Sequence, residues 1–375
     1  MRWVEYKKGE LDLGDDVAWV LAYTTVDVDL EEALTDLAAN YPAATVFGTT
    51  SFQGVFTPAG FRKGFHMLVG GVGDSIVMKA VLLPAGEDLK REVAAACKSL
   101  KGRLGKRPDV ILMHATPGIE EDVVEGIDAS FGGDVAVYGG SAADDTISGE
   151  WLVFSGTERL AAGVLLVAIA SNEPIYGDFV GGYLPTRHRG TVTAAVGRRL
   201  MTIDGQPAAQ VYNRWTQGAI ADALDGGGSV LSATSMHPIG RVVDRVMGIS
   251  FWLLSHPHQI NPDGSVDLFT DVAVGDDIAL MRGSAQALVN RAEQVVTSCL
   301  KSVSNPTPKG SILIYCGGCV GAIMDQVQEV AAVYAAATQG APFIGAATFG
   351  EQGCFVGTSK QNRHGNLMSS VVIFG

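Results

Sequence analysis

The segment Cys316-Gly317-Gly318-Cys319 is the sharpest chemical signal in the sequence. Two thiols at this spacing, at a strand-to-helix junction, can share a lowered pKa and undergo reversible oxidation. The spacing is also half of a zinc site, but no second CxxC or CxxH completes it. A structural role as a small buried side chain serves Cys319 equally well. Cys97 and Cys299 fall on apolar helix faces, and Cys354 follows Gly353.

A second set of candidates is hydroxyl-rich. Gly48-Thr49-Thr50-Ser51 and Gly139-Gly140-Ser141 combine glycines that free backbone N–H groups with hydroxyls that donate and accept. Such loops suit a small polar or carboxylate ligand, although small residues also serve close helix–sheet packing. A nucleophile among Thr49–Ser51 with His114 as its base would make a hydrolase, if the chain brings them together. Asp144-Asp145 and Glu351 follow two of the glycine turns and could take an ammonium group. Turn capping by Asp144 with a solvated Asp145 is the simpler reading. No HxxxH or DxDxDG spacing supports a metal site, and none is assigned. Of the histidines, His114 alone ends an apolar strand; His237, His256, His258 and His364 lie in loops.

These residues recur because the elements that carry them recur. An apolar strand, a helix and a second strand ending in glycine and small residues occur three times, through Ala18–Thr25 to Ser51, Val110–Thr116 to Ala142, and Ile312–Gly317 to Thr348. Aligned on Tyr23, His114 and Tyr315, the distances to Gly48, Gly139 and Gly345 are 25, 25 and 30 residues. That length suits a βαβ-like unit, and α/β sheets place ligand sites where strands end. Phe65–Val72 and Ser75–Leu83 read as a hairpin through Gly73-Asp74. A strand-rich block covers 151–203, and Ala285–Leu300 reads as a helix. The expected fold is α/β, with α+β as the variant: two layered domains, 1–215 and 216–375, whose mixed sheets are covered by helices. The boundary falls between about 205 and 228, where Leu224–Gly228 is the most linker-like stretch.

Composition bounds the rest. With 375 residues, 47% hydrophobic and 18% charged, the chain supports two domains and little disorder. A net charge of −13 without a basic run argues against nucleic acid and anionic membranes. The apolar stretch Leu160–Ala170 is about half a membrane span. No signal-peptide core follows Met1, and five cysteines do not make a secreted disulfide framework, so a cytoplasmic location is expected. There is no GxSxG elbow, Walker loop or dinucleotide fingerprint opening a helix, so catalysis is unsupported.

Six motifs in order resemble the FIST family. Gly48–Gly54, Tyr138–Asp145 and Asp204–Ala208 resemble its N-terminal domain; His237–Gly240, Tyr315–Gly318 and Gly345–Gly353 resemble its C-terminal companion. The resemblance implies a sensory protein that binds a small, amino-acid-like ligand. The ligand-binding candidates are Gly48, Thr49, Thr50, Ser51, His114, Gly139, Gly140, Ser141, Asp144, Cys316 and Glu351. No cofactor is the first expectation. A subgroup of the family resembles haem-based nitric-oxide sensors, which makes non-covalent haem on His114 the alternative, with a histidine kinase or cyclic-di-GMP enzyme as partner. The sequence departs from the pattern at Thr49, Gln53 and Cys319, where relatives tend to carry Cys, Glu and a basic residue. No output domain is recognised within the chain, so signalling would pass to a separate protein.

Overall fold

The computed structural model describes residues 1–301, 303–304, 306–355 and 361–375. Its architecture is mixed α/β, as the sequence leads one to expect. Each repeat forms a parallel strand pair: Val17–Thr24 with Thr45–Thr50, Val110–Ala115 with Ala136–Gly140, and Gly310–Cys316 with Phe343–Thr348. Each pair is the centre of its own six-stranded sheet, with antiparallel strands on both sides.

The three sheets are interlocked by exchange. The hairpin after the first unit, Val55–Thr57 with Gly60–Arg62, pairs with the third unit's Phe343–Thr348. The hairpin after the second, Val153–Ser155 with Glu158–Leu160, pairs with the first unit's Thr45–Thr50. The hairpin after the third, Glu351–Gly353 with Arg363–Gly365, pairs with the second unit's Ala136–Gly140. Each unit therefore supplies an edge to another, and the circuit closes.

Strand periodicity explains the layers. Alternate residues point to opposite faces, so Trp19, Leu21 and Tyr23 meet Val110, Leu112, Ile312 and Ile314 in one shared central core. The intervening Val20 and Ala22, Ile111 and Met113, and Leu313 and Tyr315 face outward onto helices. Those helices carry matching stripes. Leu30–Asn40 starts at Asp29, whose carboxylate accepts the Glu32 N–H at 3.0 Å, and buries Leu30, Ala33, Leu34 and Leu37. Glu120–Phe131 ends at Gly132 in the left-handed region. Ala285–Leu300 and Val327–Ala337 cover the third sheet. A further nine-stranded sheet, built mainly on Leu184–Val196, Arg199–Ile203 and Ile239–Ser255, has its own core around Leu200, Tyr212 and Ile260. Among the described residues, no helix is long and apolar enough to cross a membrane.

Three expectations need correcting. Phe65–Gly71 and Ile76–Pro84 are strands but not a hairpin: the first pairs with Val17–Thr24 and the second with Gly163–Ser171, in different sheets. Nine paired residues in that second contact outweigh the local turn signal at Gly73-Asp74. Next, the repeat glycines do not end their strands in the first and third units, where pairing runs on to Thr50 and Thr348. Finally, Gly48 pairs with Ala22, Gly139 with Met113 and Gly345 with Leu313. The true counterpart of Tyr23 and His114 is therefore Ile314. A slip of one residue turns a side chain to the other face, and Tyr315 packs outward under a helix.

Candidate functional site

The ends of all three units converge on a cavity of about 660 Å³. Phe52 comes from just beyond the first unit, Pro117 and Glu120 from the second, and Cys316–Gly318 with Thr348–Gly350 from the third. Ile147 and Trp151 close one side. The nine-stranded region covers the other with Arg198, Leu231, Met236, His256 and Phe269. The aromatic wall is continuous: Phe349 lies 5.7 Å from Phe52 and 6.2 Å from Trp151, edge-on to the latter. Aromatic rings present large apolar area at low entropic cost and suit an apolar ligand body.

Charge enters at one place. Glu120 is only 1% exposed, and both oxygens of its carboxylate are hydrogen-bonded. One oxygen accepts from Ser141 Oγ at 2.7 Å; the other accepts from Gly118 N–H at 2.9 Å and Arg198 Nη2 at 2.7 Å. Arg198 also donates to Glu121 at 2.5 Å, and the two carboxylates raise its pKa against the opposing effect of burial. Glu120, Glu121 and His364 bring ligand-capable atoms within 4.8 Å of one another. The Arg198 guanidinium already bridges both carboxylates, so this is an ion-pair cluster rather than a vacant cation site. His256 on the cavity wall donates Nε2–H to the Leu231 carbonyl at 3.1 Å, and burial pushes its pKa down to about 4. The ring is thus neutral near pH 7, with Nδ1 carrying the lone pair.

Of the ligand-binding candidates named from sequence, Cys316 lines the cavity. The others lie behind it, bonded to the protein. Thr49 Oγ1 donates to Leu152 O at 3.0 Å, and Thr50 Oγ1 accepts the Leu152 N–H at 3.0 Å. Ser51 Oγ donates to Gly54 O at 2.6 Å and accepts the Ala347 N–H at 2.8 Å. These hydroxyls fasten exchanged segments to one another. Gly48 and Gly139 let strands approach: a Cβ there would lie 1.7 Å from Ala22 O or 1.8 Å from Met113 O. Gly140 packs against Thr348, and its carbonyl meets His114 Nδ1 at 2.8 Å. Asp144 caps the following loop, accepting the N–H groups of Ile147, Gly149 and Glu150 among others. Glu351 is fully buried below Thr348, and its oxygens accept from Thr348 Oγ1 and Met368 N–H; burial raises its pKa to about 8.

His114 has both nitrogens engaged, Nδ1 by Gly140 and Nε2 by the Tyr23 hydroxyl at 3.0 Å. None of the Thr49, Thr50 or Ser51 hydroxyls is among its partners. The same commitment leaves no nitrogen of His114 for a haem iron, so His114 does not fit as an axial ligand. Sequence reasoning passed over Phe52, Trp151, Arg198, Met236 and Phe349. Phe52 and Phe349 stand at the same offset from the repeat glycines Gly48 and Gly345, a signal the repeat itself carried, whereas Trp151, Arg198 and Met236 are isolated and only the fold brings them in.

The FIST N domain model matches residues 18–206 and the FIST C domain model matches residues 208–354. Among solved structures, a chorismatase crystal structure is similar at 11% identity and a TM-score of 0.40, covering 100% of this chain and 98% of that one. Among curated proteins, none matches the chain.

Proposed function

This chain belongs to the FIST family, whose domains are small-ligand sensory modules of signalling proteins, and from that premise we propose that its cavity binds an amino-acid-like molecule with an apolar or aromatic body. The observation that carries the reading is one juxtaposition. An aromatic wall of Phe52, Trp151 and Phe349 shares a cavity with the half-buried Arg198 and its buried partner Glu120. A guanidinium recognises a carboxylate through two parallel hydrogen bonds, while a carboxylate and a neutral imidazole nitrogen accept from an ammonium group. In this reading Arg198 takes the ligand's carboxylate, Glu120 and the His256 Nδ1 take its ammonium, and the rings take its body. The residues beneath, from Thr49 to Ser51 and at Gly139, Gly140, Ser141 and Asp144, hold the wall in place.

Signalling follows from who builds the cavity. Its lining comes from both the three-sheet core and the nine-stranded region. A ligand that touches both favours the arrangement in which they are closest, and it shifts the population only by its difference in affinity for the two arrangements. The altered surface is then read by a separate protein.

The test is native mass spectrometry and an ultraviolet–visible spectrum of the purified chain, followed by thermal shifts with the standard L-amino acids. The expected result is a colourless protein stabilised by apolar or aromatic amino acids, by about 2.7 kcal/mol at a hundredfold excess over Kd. Arg198→Lys should remove that shift, and Trp151→Ala should roughly halve it. A Soret band with stoichiometric haem, or no response to any amino acid, would overturn the reading.

A further inference from the structure

Beneath the cavity floor lies a charge without an ordinary counter-charge. Arg291 is 0% exposed, on the helix Ala285–Leu300. Its Nη1 donates to the Leu367 carbonyl at 2.6 Å, and its guanidinium lies 4.0 Å from the Tyr315 ring centroid. Among the described residues, no carboxylate pairs with it, and Nε and Nη2 have no nitrogen or oxygen partner. An isolated buried cation is costly, so something nearby must answer it.

The groups that answer are sulfur atoms. Cys319 is fully buried, with its Sγ 3.4 Å from the Tyr183 hydroxyl. Burial pushes the Cys319 thiol up, but the hydrogen bond from Cys316, the Arg291 charge and the Tyr183 hydroxyl together bring it down to about 6. Cys316 is affected the other way: burial and its bond to Cys319 hold it well above the usual thiol range. Arg291 thus favours the thiolate form at Cys319, while Cys316 keeps its proton. Cys316 is also the member that lines the cavity.

We propose that Cys316 and Cys319 form a redox-modification site on the cavity floor that takes a small hydroperoxide, with Arg291 as its positioning residue. The Cys319 thiolate attacks the peroxide O–O bond and becomes a sulfenic acid, while the departing oxygen takes the Cys316 proton and leaves as an alcohol or water. Cys316 Sγ, now a thiolate, attacks the sulfenic sulfur, the S–S bond forms, and the sulfenic oxygen leaves as hydroxide, which takes a proton from solvent. The dithiol loses two electrons, and the hydroperoxide is reduced to an alcohol, or to water, plus a second water. Oxidation removes the anion that Arg291 faces, directly beneath a wall that holds Thr348 and Phe349. The inference stands apart from the ligand reading, because it needs no occupant in the cavity.

The experiment is peroxide treatment of the full chain, then alkylation and mass spectrometry of its peptides. The expected result is that the peptide with Cys316 and Cys319 loses two hydrogen masses and escapes alkylation. Cys97, whose thiol burial pushes up to about 12, stays reduced as the internal control. Arg291→Met should slow the reaction about tenfold or more, and Arg291→Lys should restore most of the rate. Where Arg291→Met does not fold, Cys316→Ser should leave a sulfenic acid on Cys319 that dimedone traps. Full alkylation of both cysteines after peroxide, or no dimedone adduct on that variant, would overturn the proposal. An unchanged rate in folded Arg291→Met would overturn the role of Arg291.

Discussion

Two strand ends made equivalent by the repeat seal each other, and the third stays open. Tyr23 and His114 occupy matching inward positions in the first and second units, where hydroxyl and imidazole meet at 3.0 Å with rings edge-on at 5.3 Å. The third unit places Ile314 at that position, so it offers no polar group to the junction. Two residues later its strand ends in Cys316, Gly317 and Gly318, all on the cavity. The comparison teaches that repetition fixes where strands stop, while one inward side chain decides whether the end is plugged or accessible.

The largest effects should come from the glycines on which that equivalence rests. Gly48→Ala and Gly139→Ala drive a Cβ into a neighbouring carbonyl, while at Gly345 the nearest atom is the Leu313 Cβ at 2.9 Å. We expect the first two to lose at least about 3 kcal/mol or to fail to fold, and Gly345→Ala to lose less, by urea midpoint and soluble yield. A wild-type midpoint for Gly48→Ala would contradict the strand pairing.

The sealed junction comes next. His114→Leu strands the Tyr23 hydroxyl and the Gly140 carbonyl in the core and should cost about 2–4 kcal/mol. Tyr315→Phe removes one outward bond, from its hydroxyl to Leu288 O at 2.8 Å, and should cost only about 1 kcal/mol. Equal losses would erase the distinction between inward and outward faces.

Acid and base should separate the regions further. Burial holds His114 and His256 near 4, below the ordinary 6.5, so the fold favours their neutral forms. Their contribution is complete above pH 6.5 and is lost as pH falls toward 4. Glu351 behaves oppositely. Burial raises it from 4.5 to about 8, so its contribution is complete below 4.5 and is lost as pH rises through 8. Glu351→Gln should therefore hold a steadier midpoint than wild type between pH 5 and 8, by thermal denaturation across pH. A steeper decline would contradict the neutral carboxyl.

The smallest effect on stability should belong to the open end. Trp151 is only partly buried, so Trp151→Ala should cost about 1 kcal/mol while weakening ligand binding about tenfold, by calorimetry.

The sequence declared its local elements well and its long-range partners poorly. Ala285–Leu300 reads correctly because Ser284 caps it, accepting the Ala287 N–H at 3.2 Å, and its apolar spacing is regular. Arg291 falls in the stripe of Leu288, Ala292 and Val295, but nothing in the sequence reading singled it out. Tyr315 was placed one residue out because similar aromatic residues invited an alignment that only strand pairing can correct. The Phe65–Gly71 hairpin failed for the same reason, as distant strands outbid a local turn. The cavity was least legible: Phe52 and Phe349 stand at the same offset from Gly48 and Gly345, but Trp151 and Arg198 carry no such signal, and only the hairpin exchange and the outer sheet bring the four together.

Hydrogen–deuterium exchange, with and without the amino acid that stabilises the chain most, tests the central claim directly. Binding at the open end should protect the backbone around 147–151, 229–236, 316–322 and 348–350, and leave Tyr23 and His114 unchanged. Protection confined to Thr49–Ser51 and the Tyr23–His114 junction, with none around Cys316, would contradict it.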